Sequence, residues 1–378
     1  MTDVIESGLA RTIQDSDRSM FVVDTDIHEL LRSHKDLLPH LAPSWRRHLS
    51  EYNGPFAGSA TGVPTAFPYS MPTQGKANSR LEWQDPDHTP GTSLSLMQKQ
   101  LFDGEGVSLG ILNGLYHPSA VHGNYDLMIA LASAYNDWQI ATWLDPEPRL
   151  RGSIHVVAHD PAAAVREIER LAGHPQMVQV FLPLATDRQY GDPCYLPIFE
   201  TALAHGLVVA FHHGTATQTL LGYPRNFIEW HMLAAMQAAQ NQIVSLICNG
   251  IFDRLPELRV AILEASVSWV PSFFKRFDQQ YRELRIDVPW VHRLPTEYLR
   301  DNIRMSTQPL ADIRPREFLE LVTGAGLDRV FMFSTDYPHY DADSVEAVLP
   351  KQLPDEFRSQ ILHQNAIDTY PRLAGVGR

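Results

Sequence analysis

The chain has 378 residues, 44% of them hydrophobic and 20% charged, so it is long enough for a full core and is not a largely disordered polymer. Its formal charge of -13 argues against nucleic acid or an anionic membrane as the main partner. Two cysteines, Cys194 and Cys248, exclude a disulfide scaffold and point to a reducing, cytoplasmic setting.

Residues 1–19 are polar, lack the apolar centre of a signal peptide, and read as a loose arm. No uninterrupted apolar run reaches the ~18 residues of a membrane span. Met20 to Asp24 reads as a buried strand that runs into Asp26 and His28. Residues 31–106 change character. The part from 53 to 95 is rich in Gly, Pro, Ser and Thr with little periodicity, and Phe56, Phe67, Tyr69 and Trp83 punctuate it. A long ordered insertion, packed like a lid over the barrel mouth, is expected there.

From 107 onward strands and helices alternate. Strands are expected at 107–112, 152–157, 177–182, 207–211, 258–263, 303–306 and 329–333. Helices are expected at 125–143, from Pro161 behind an Asp160 cap, at 196–205 ended by Gly206, and at 227–246, 269–285, 314–324 and 357–370. Eight strands separated mostly by helices imply a closed parallel barrel, a (β/α)8 or TIM barrel, as one domain over 1–378.

Four of these strands end in acids or histidines. The first ends in Asp26 and His28, the fifth in His212, the sixth in Glu264 and the eighth in Asp336. In this fold all strand C-termini meet on the face that carries the active site. Alternate strand residues point the same way, so Asp26 and His28 can both face the axis, whereas adjacent His212 and His213 cannot. Histidines and carboxylates converging there make an N/O site for one zinc, manganese or iron ion. His155, His159, His174 and His205 read as helix-end or loop residues. Glu264 is open to three roles: proton transfer, metal ligation, or a buried acid paired with Arg276. No lysine follows the fourth strand (VQVFLPLAT, 178–186), so no carbamylated bridge between two metals is expected.

Seven stretches carry a family resemblance: VVDTDIH (22–28), AYNDWQ (134–139), RLRGSIHVVAHDPAAAVREIERL (149–171), DPCYLPIFETALAHGLVVAFHHG (192–214), GIFDRLPELRVAILEASVSWVPSFFKRFD (250–278), FMFSTDYPH (331–339) and NAIDTY (365–370). Together they resemble the amidohydrolase-related family typified by aminocarboxymuconate-semialdehyde and γ-resorcylate decarboxylases. The resemblance implies a distorted barrel holding one divalent metal, zinc first, on Asp26, His28, His212 and Asp336. It also implies a homodimer, with Arg276 reaching a substrate carboxylate. The chain departs from the family pattern at Asp26, which replaces the first histidine of an H-x-H motif. It departs again at Glu264, where relatives place a proton-transferring histidine. A decarboxylase of a small oxygenated or aromatic carboxylate is the leading expectation, with Asp336 or Glu264 giving the proton. A hydrolase of an amide, lactone or vinylogous ketone and a non-catalytic metal binder are the alternatives.

Overall fold

A computed structural model of the chain describes residues 20–51, 79–115, 124–184, 186, 188–213, 226–310 and 313–376. The amino-terminal arm and Phe56, Phe67 and Tyr69 lie outside the described residues. Eight parallel strands follow one another in chain order: β1 (Val23–Ile27), β2 (Leu109–Leu112), β3 (Leu150–His155), β4 (Met177–Pro183), β5 (Val208–His212), β6 (Val260–Leu263), β7 (Ile303–Ser306) and β8 (Phe331–Met332). The register runs from Val23 opposite Leu109 to Ser306 opposite Met332. Beyond β8 the ring is drawn together through β1. Thr25 N donates to Phe333 O (3.0 Å) and His28 N to Tyr337 O (2.7 Å), and Ile27 pairs in parallel with Tyr337. The result is the expected TIM barrel, nearly closed.

Each strand divides its residues between two layers because successive side chains alternate across the sheet. In β5, Val209 and Phe211 join the large apolar layer beneath the helices, while Val208 and Ala210 join the barrel interior, and His212 continues that inner row. In β6 the same split separates Val260 and Ile262 from Ala261 and Leu263. The outer helices start and stop on local signals. Asp160 accepts from Ala163 N (2.9 Å) ahead of Pro161, and Gly206 supplies the left-handed residue (φ 65°) after the helix Leu196–Ala204.

Two sequence expectations shift. The first strand lies three residues later than its apolar run, because the buried Asp24-Thr25-Asp26 run finds hydrogen-bond partners inside the barrel. The insertion carries, on either side of the stretch with little periodicity, a helix at Pro43–Glu51 and helical turns at His34–His40, Leu94–Met97 and Gln98–Gly104. Its returning end lies beside the loop after β8. Ser79 pairs with His339, the Trp83 ring is 4.9 Å from Tyr337, and the Tyr337 hydroxyl donates to Gln100 (2.8 Å). Among the described residues, no helix is long and apolar enough to cross a membrane.

Candidate metal centre and active site

Asp26, His28, His212, Glu264 and Asp336 meet at the C-terminal ends of the strands, all buried. The ligand atoms of Asp26, His28 and His212 lie within 4.8 Å of one another. So do those of His28, Glu264, Asp336 and His339, and those of His212, His213 and Glu264. His28 Nε2 is 2.7 Å from Asp336 Oδ1 and 3.8 Å from Asp26 Oδ1. His212 Nε2 is 3.0 Å from Glu264 Oε2 and 3.6 Å from Asp26 Oδ2.

The backbone fixes the ring orientations. His28 Nδ1 donates to Asn113 O (2.5 Å), and His212 Nδ1 donates to His213 O. Both Nε2 atoms are thereby turned to the centre of the cluster, the arrangement a metal-binding histidine needs. A polar column beneath supports Asp26. Tyr370 hydroxyl donates to Gln179 Oε1 (2.8 Å), Gln179 Nε2 to Asn113 Oδ1 (2.5 Å), and Asn113 Nδ2 to Asp26 Oδ1 (2.9 Å). Asp24, one layer down, accepts from Thr335 N (3.0 Å), Thr335 Oγ1 (2.5 Å) and Asp26 N (3.1 Å), and burial raises it to about 7.

Burial dominates the electrostatics. It holds Asp336 well above the usual carboxylate range, with Glu264 adding repulsion, and it lowers His28. Both shifts favour the uncharged forms of Asp336 and His28, whose Oδ1 and Nε2 lie 2.7 Å apart. His212 behaves in the opposite way: burial alone would lower it, but Asp26 and Glu264 outweigh that and raise it to about 9. Burial would also raise Glu264, yet His213 and His212 hold it well below the usual range. Glu264 is thus an anion between two histidines, while burial pulls Asp336 the other way.

A divalent cation fits these residues. Asp26 Oδ2 is buried without a hydrogen-bond donor, and Glu264 Oε2 is buried 3.0 Å from His212 Nε2. Such oxygens are costly unless a cation takes them up. The mixed imidazole and carboxylate donors suit zinc, manganese or iron.

The backbone is strained at two of these positions. Among the described residues, Glu264 (φ 48°), Ser266 (φ 62°) and Asp336 (φ 63°) are the non-glycine residues with left-handed backbone. Each costs ~1–3 kcal/mol and persists only where the surroundings enforce it. At Glu264 a hydrogen bond from its N–H to Ser306 Oγ (2.8 Å) helps.

Three sequence readings are corrected. His213 was expected to point away from His212, but its Nε2 lies 2.8 Å from Glu264 Oε1 and its ring stacks on His212. It is the first residue after β5, where strand alternation no longer applies. His155 is no loop residue. It ends β3 and is buried against Tyr135 and Phe181, with ring centroids at 4.7 and 4.8 Å. Glu264 does not pair with Arg276, which is exposed on the helix Val270–Leu284. Asp278 does not pair with it either, since Asp278 accepts from Thr296 N and Oγ1. His339 was missed altogether. Its Nδ1 is 2.9 Å from both Asp336 oxygens and its ring is 4.8 Å from His28. The signal for it was the i,i+3 spacing from Asp336, inside a stretch quoted only for resemblance.

The amidohydrolase family profile matches residues 23–372, from the first strand to the last helical turn. The chain belongs to the amidohydrolase family. No curated protein sequence matches it. Solved structures do match, and this amidohydrolase is similar in fold to 5-carboxyvanillate decarboxylase from Sphingomonas paucimobilis. The TM-score is 0.68 at 19% identity, covering 93% of this chain and 99% of that one. The 5-carboxyvanillate decarboxylase of Novosphingobium aromaticivorans, with bound manganese and a nitrobenzoic acid, gives 0.70 at 17% identity, covering 94% and 98%. Dihydroxybenzoic acid decarboxylase from Polaromonas, with manganese and 2-nitroresorcinol, gives 0.64 at 17% identity, covering 93% and 97%.

Proposed function

We propose that this amidohydrolase is a metal-dependent decarboxylase of a small aromatic carboxylate with an oxygen beside the carboxyl group. The observation that carries this is the buried Asp336, 2.7 Å from His28 Nε2 and part of a cradle of histidine and carboxylate donor atoms. Asp26, His28, His212 and Asp336 would hold one divalent cation, with Glu264 against His212. When bound, the cation supplies positive charge that steadies the electron pair left as carbon dioxide departs. Asp336, deprotonated while it holds the cation, would take a proton from solvent and pass it to the carbon that loses the carboxyl group. His339, hydrogen-bonded to Asp336, holds that carboxyl in place. Glu264, as an anion, has no proton to give and instead fixes His212 and His213.

Zinc is the expectation from the family resemblance. Three carboxylates at the cluster and two neighbours that carry manganese favour manganese for this chain. We further propose a homodimer in the cytoplasm. The exposed Arg276, which has no acid partner among the described residues, would meet the substrate carboxylate of the neighbouring subunit. Its guanidinium suits that bidentate task.

The test is to load the protein with manganese and follow 5-carboxyvanillate and 2,6-dihydroxybenzoate by mass spectrometry. Loss of carbon dioxide is expected, and Asp336→Asn should lower turnover by ~100- to 10,000-fold. A product heavier by one water, from an ester or amide panel run alongside, would make the enzyme a hydrolase. For the dimer, sedimentation at the 42.7 kDa of a single chain would refute it.

A further inference from the structure

At the end of the barrel opposite the metal cluster, Arg259, Arg293, Arg300, Arg304 and Arg329 line one cleft of about 610 Å³. Arg259 immediately precedes β6, Arg304 is the second residue of β7, and Arg329 lies two residues before β8. These are the strands' N-terminal ends, whereas the metal cluster sits at their C-terminal ends. The cleft therefore shares no residue with the proposed active site.

Little of its charge is neutralised. Of the two acids on its lining, Asp301 is already ion-paired with Arg293, which leaves Asp328. Arg259, Arg300 and Arg304 bond to neutral backbone. Arg259 donates to Pro256 O and Leu258 O (both 3.3 Å), and Arg300 donates to Ala325 O and Gly326 O (both 3.1 Å). Arg304 donates from one terminal nitrogen to Arg300 O and Ile303 O (both 2.9 Å). Arg304 is also 7% exposed, and its Nε has no hydrogen-bond partner among the described residues. Burial, reinforced by Arg259, pushes its guanidinium down to about 10. A buried cation with one N–H unpaired, in the wall of a basic cleft, is costly unless an anion offsets its charge. The chain's overall charge of -13 makes such a concentration of positive charge a local feature and not a product of composition.

We propose that this cleft binds a small multivalent oxyanion carrying phosphate groups, at a site separate from the metal cluster. Guanidinium forks match phosphate oxygens two at a time, and the volume lies within the ~300–1,000 Å³ of small-molecule sites. A long polyanion is disfavoured by the chain's overall charge of -13.

The test is isothermal titration of the manganese-loaded protein with fructose bisphosphate, beside inorganic phosphate and a single-stranded oligonucleotide. Arg259→Ser combined with Arg329→Ser should weaken fructose bisphosphate by ~100-fold, about tenfold per guanidinium. Bound metal and turnover without the phosphate ligand should not change. Arg304→Met should lose affinity as well; should it fail to fold, the double variant at the surface still decides. No binding to the parent at millimolar concentration would overturn the proposal, as would equal affinity in the double variant. Tighter binding of the oligonucleotide would make the cleft a nucleic-acid surface, and a change in sedimentation with phosphate affinity unaltered would make it a subunit contact. Either result overturns it too.

Discussion

Binding of a divalent cation at the strand-end cluster should expel protons. His212 is held at about 9, so near neutrality its Nε2 carries a proton that must leave before the nitrogen can bind a metal. Two pH units at about 1.4 kcal/mol each make that penalty ~3 kcal/mol at pH 7, or about 100-fold in apparent affinity. Burial also favours the protonated form of Asp336, 2.7 Å from His28 Nε2. The sign follows from both groups binding metal only when deprotonated. The apparent Kd for manganese should therefore tighten by ~10-fold per pH unit between about pH 7 and 9 if one proton leaves, and by ~100-fold if two do. The assay is calorimetric titration of metal-depleted protein with manganese chloride in buffers of different ionisation enthalpy. The dependence of the observed heat on that enthalpy counts the protons released. A count near zero, with a Kd that ignores pH, would refute both the protonation pattern and the assignment of His212 as a ligand.

Glu264→Gln removes the charge shared by His212 and His213, so manganese affinity should fall by at least ~10-fold, with added metal partly restoring turnover. Unchanged affinity with turnover lost would make Glu264 the proton-transfer group instead. Glu29 is buried, accepts from Tyr135 hydroxyl (2.9 Å) and Gln139 Nε2 (2.5 Å), and is raised by burial from 4.5 to about 7. A carboxyl raised in the fold favours folding below its unfolded pKa and loses that contribution as pH climbs through its folded one, here ~3 kcal/mol between about pH 4.5 and 7. Glu29→Gln should thus flatten the pH dependence of the melting temperature, and an unaltered slope would show that folding does not raise the Glu29 pKa. Limited proteolysis should leave one barrel-sized core; two stable halves of similar size would refute a single domain.

The barrel was legible because parallel strands buried on both faces read as short apolar runs, as in VVAFH and VAIL. The core of the site was legible because Asp26, His28, His212, Glu264 and Asp336 each interrupt or end such a run. What could not be read lies off the strands or carries no charge. His213 and His339 are placed by loop geometry, where neither the period of two nor that of 3.6 applies. Asn113 and Gln179 look like ordinary polar residues until the fold stacks them under Asp26. The pairing of Glu264 depended on which neighbour came nearer. The imidazoles of His212 and His213, at and just past the end of neighbouring β5, won over an arginine on an outer helix.

Closure of the ring through β1 has a consequence for how the molecule comes into being. His28 meets Asp336 and Asp24 meets Thr335 across 308 and 311 residues of chain. The column beneath them ends on Tyr370. During synthesis the first site residues leave the ribosome early and wait for nearly the whole chain before their partners exist. No amino-terminal fragment can carry the site, so the nascent chain offers metals no finished cradle to bind. Contacts this distant also slow folding, because the chain must lose the entropy of a very long loop before any of them forms. A cation would therefore enter a barrel already closed, and would lock the first and last strands together as it did so.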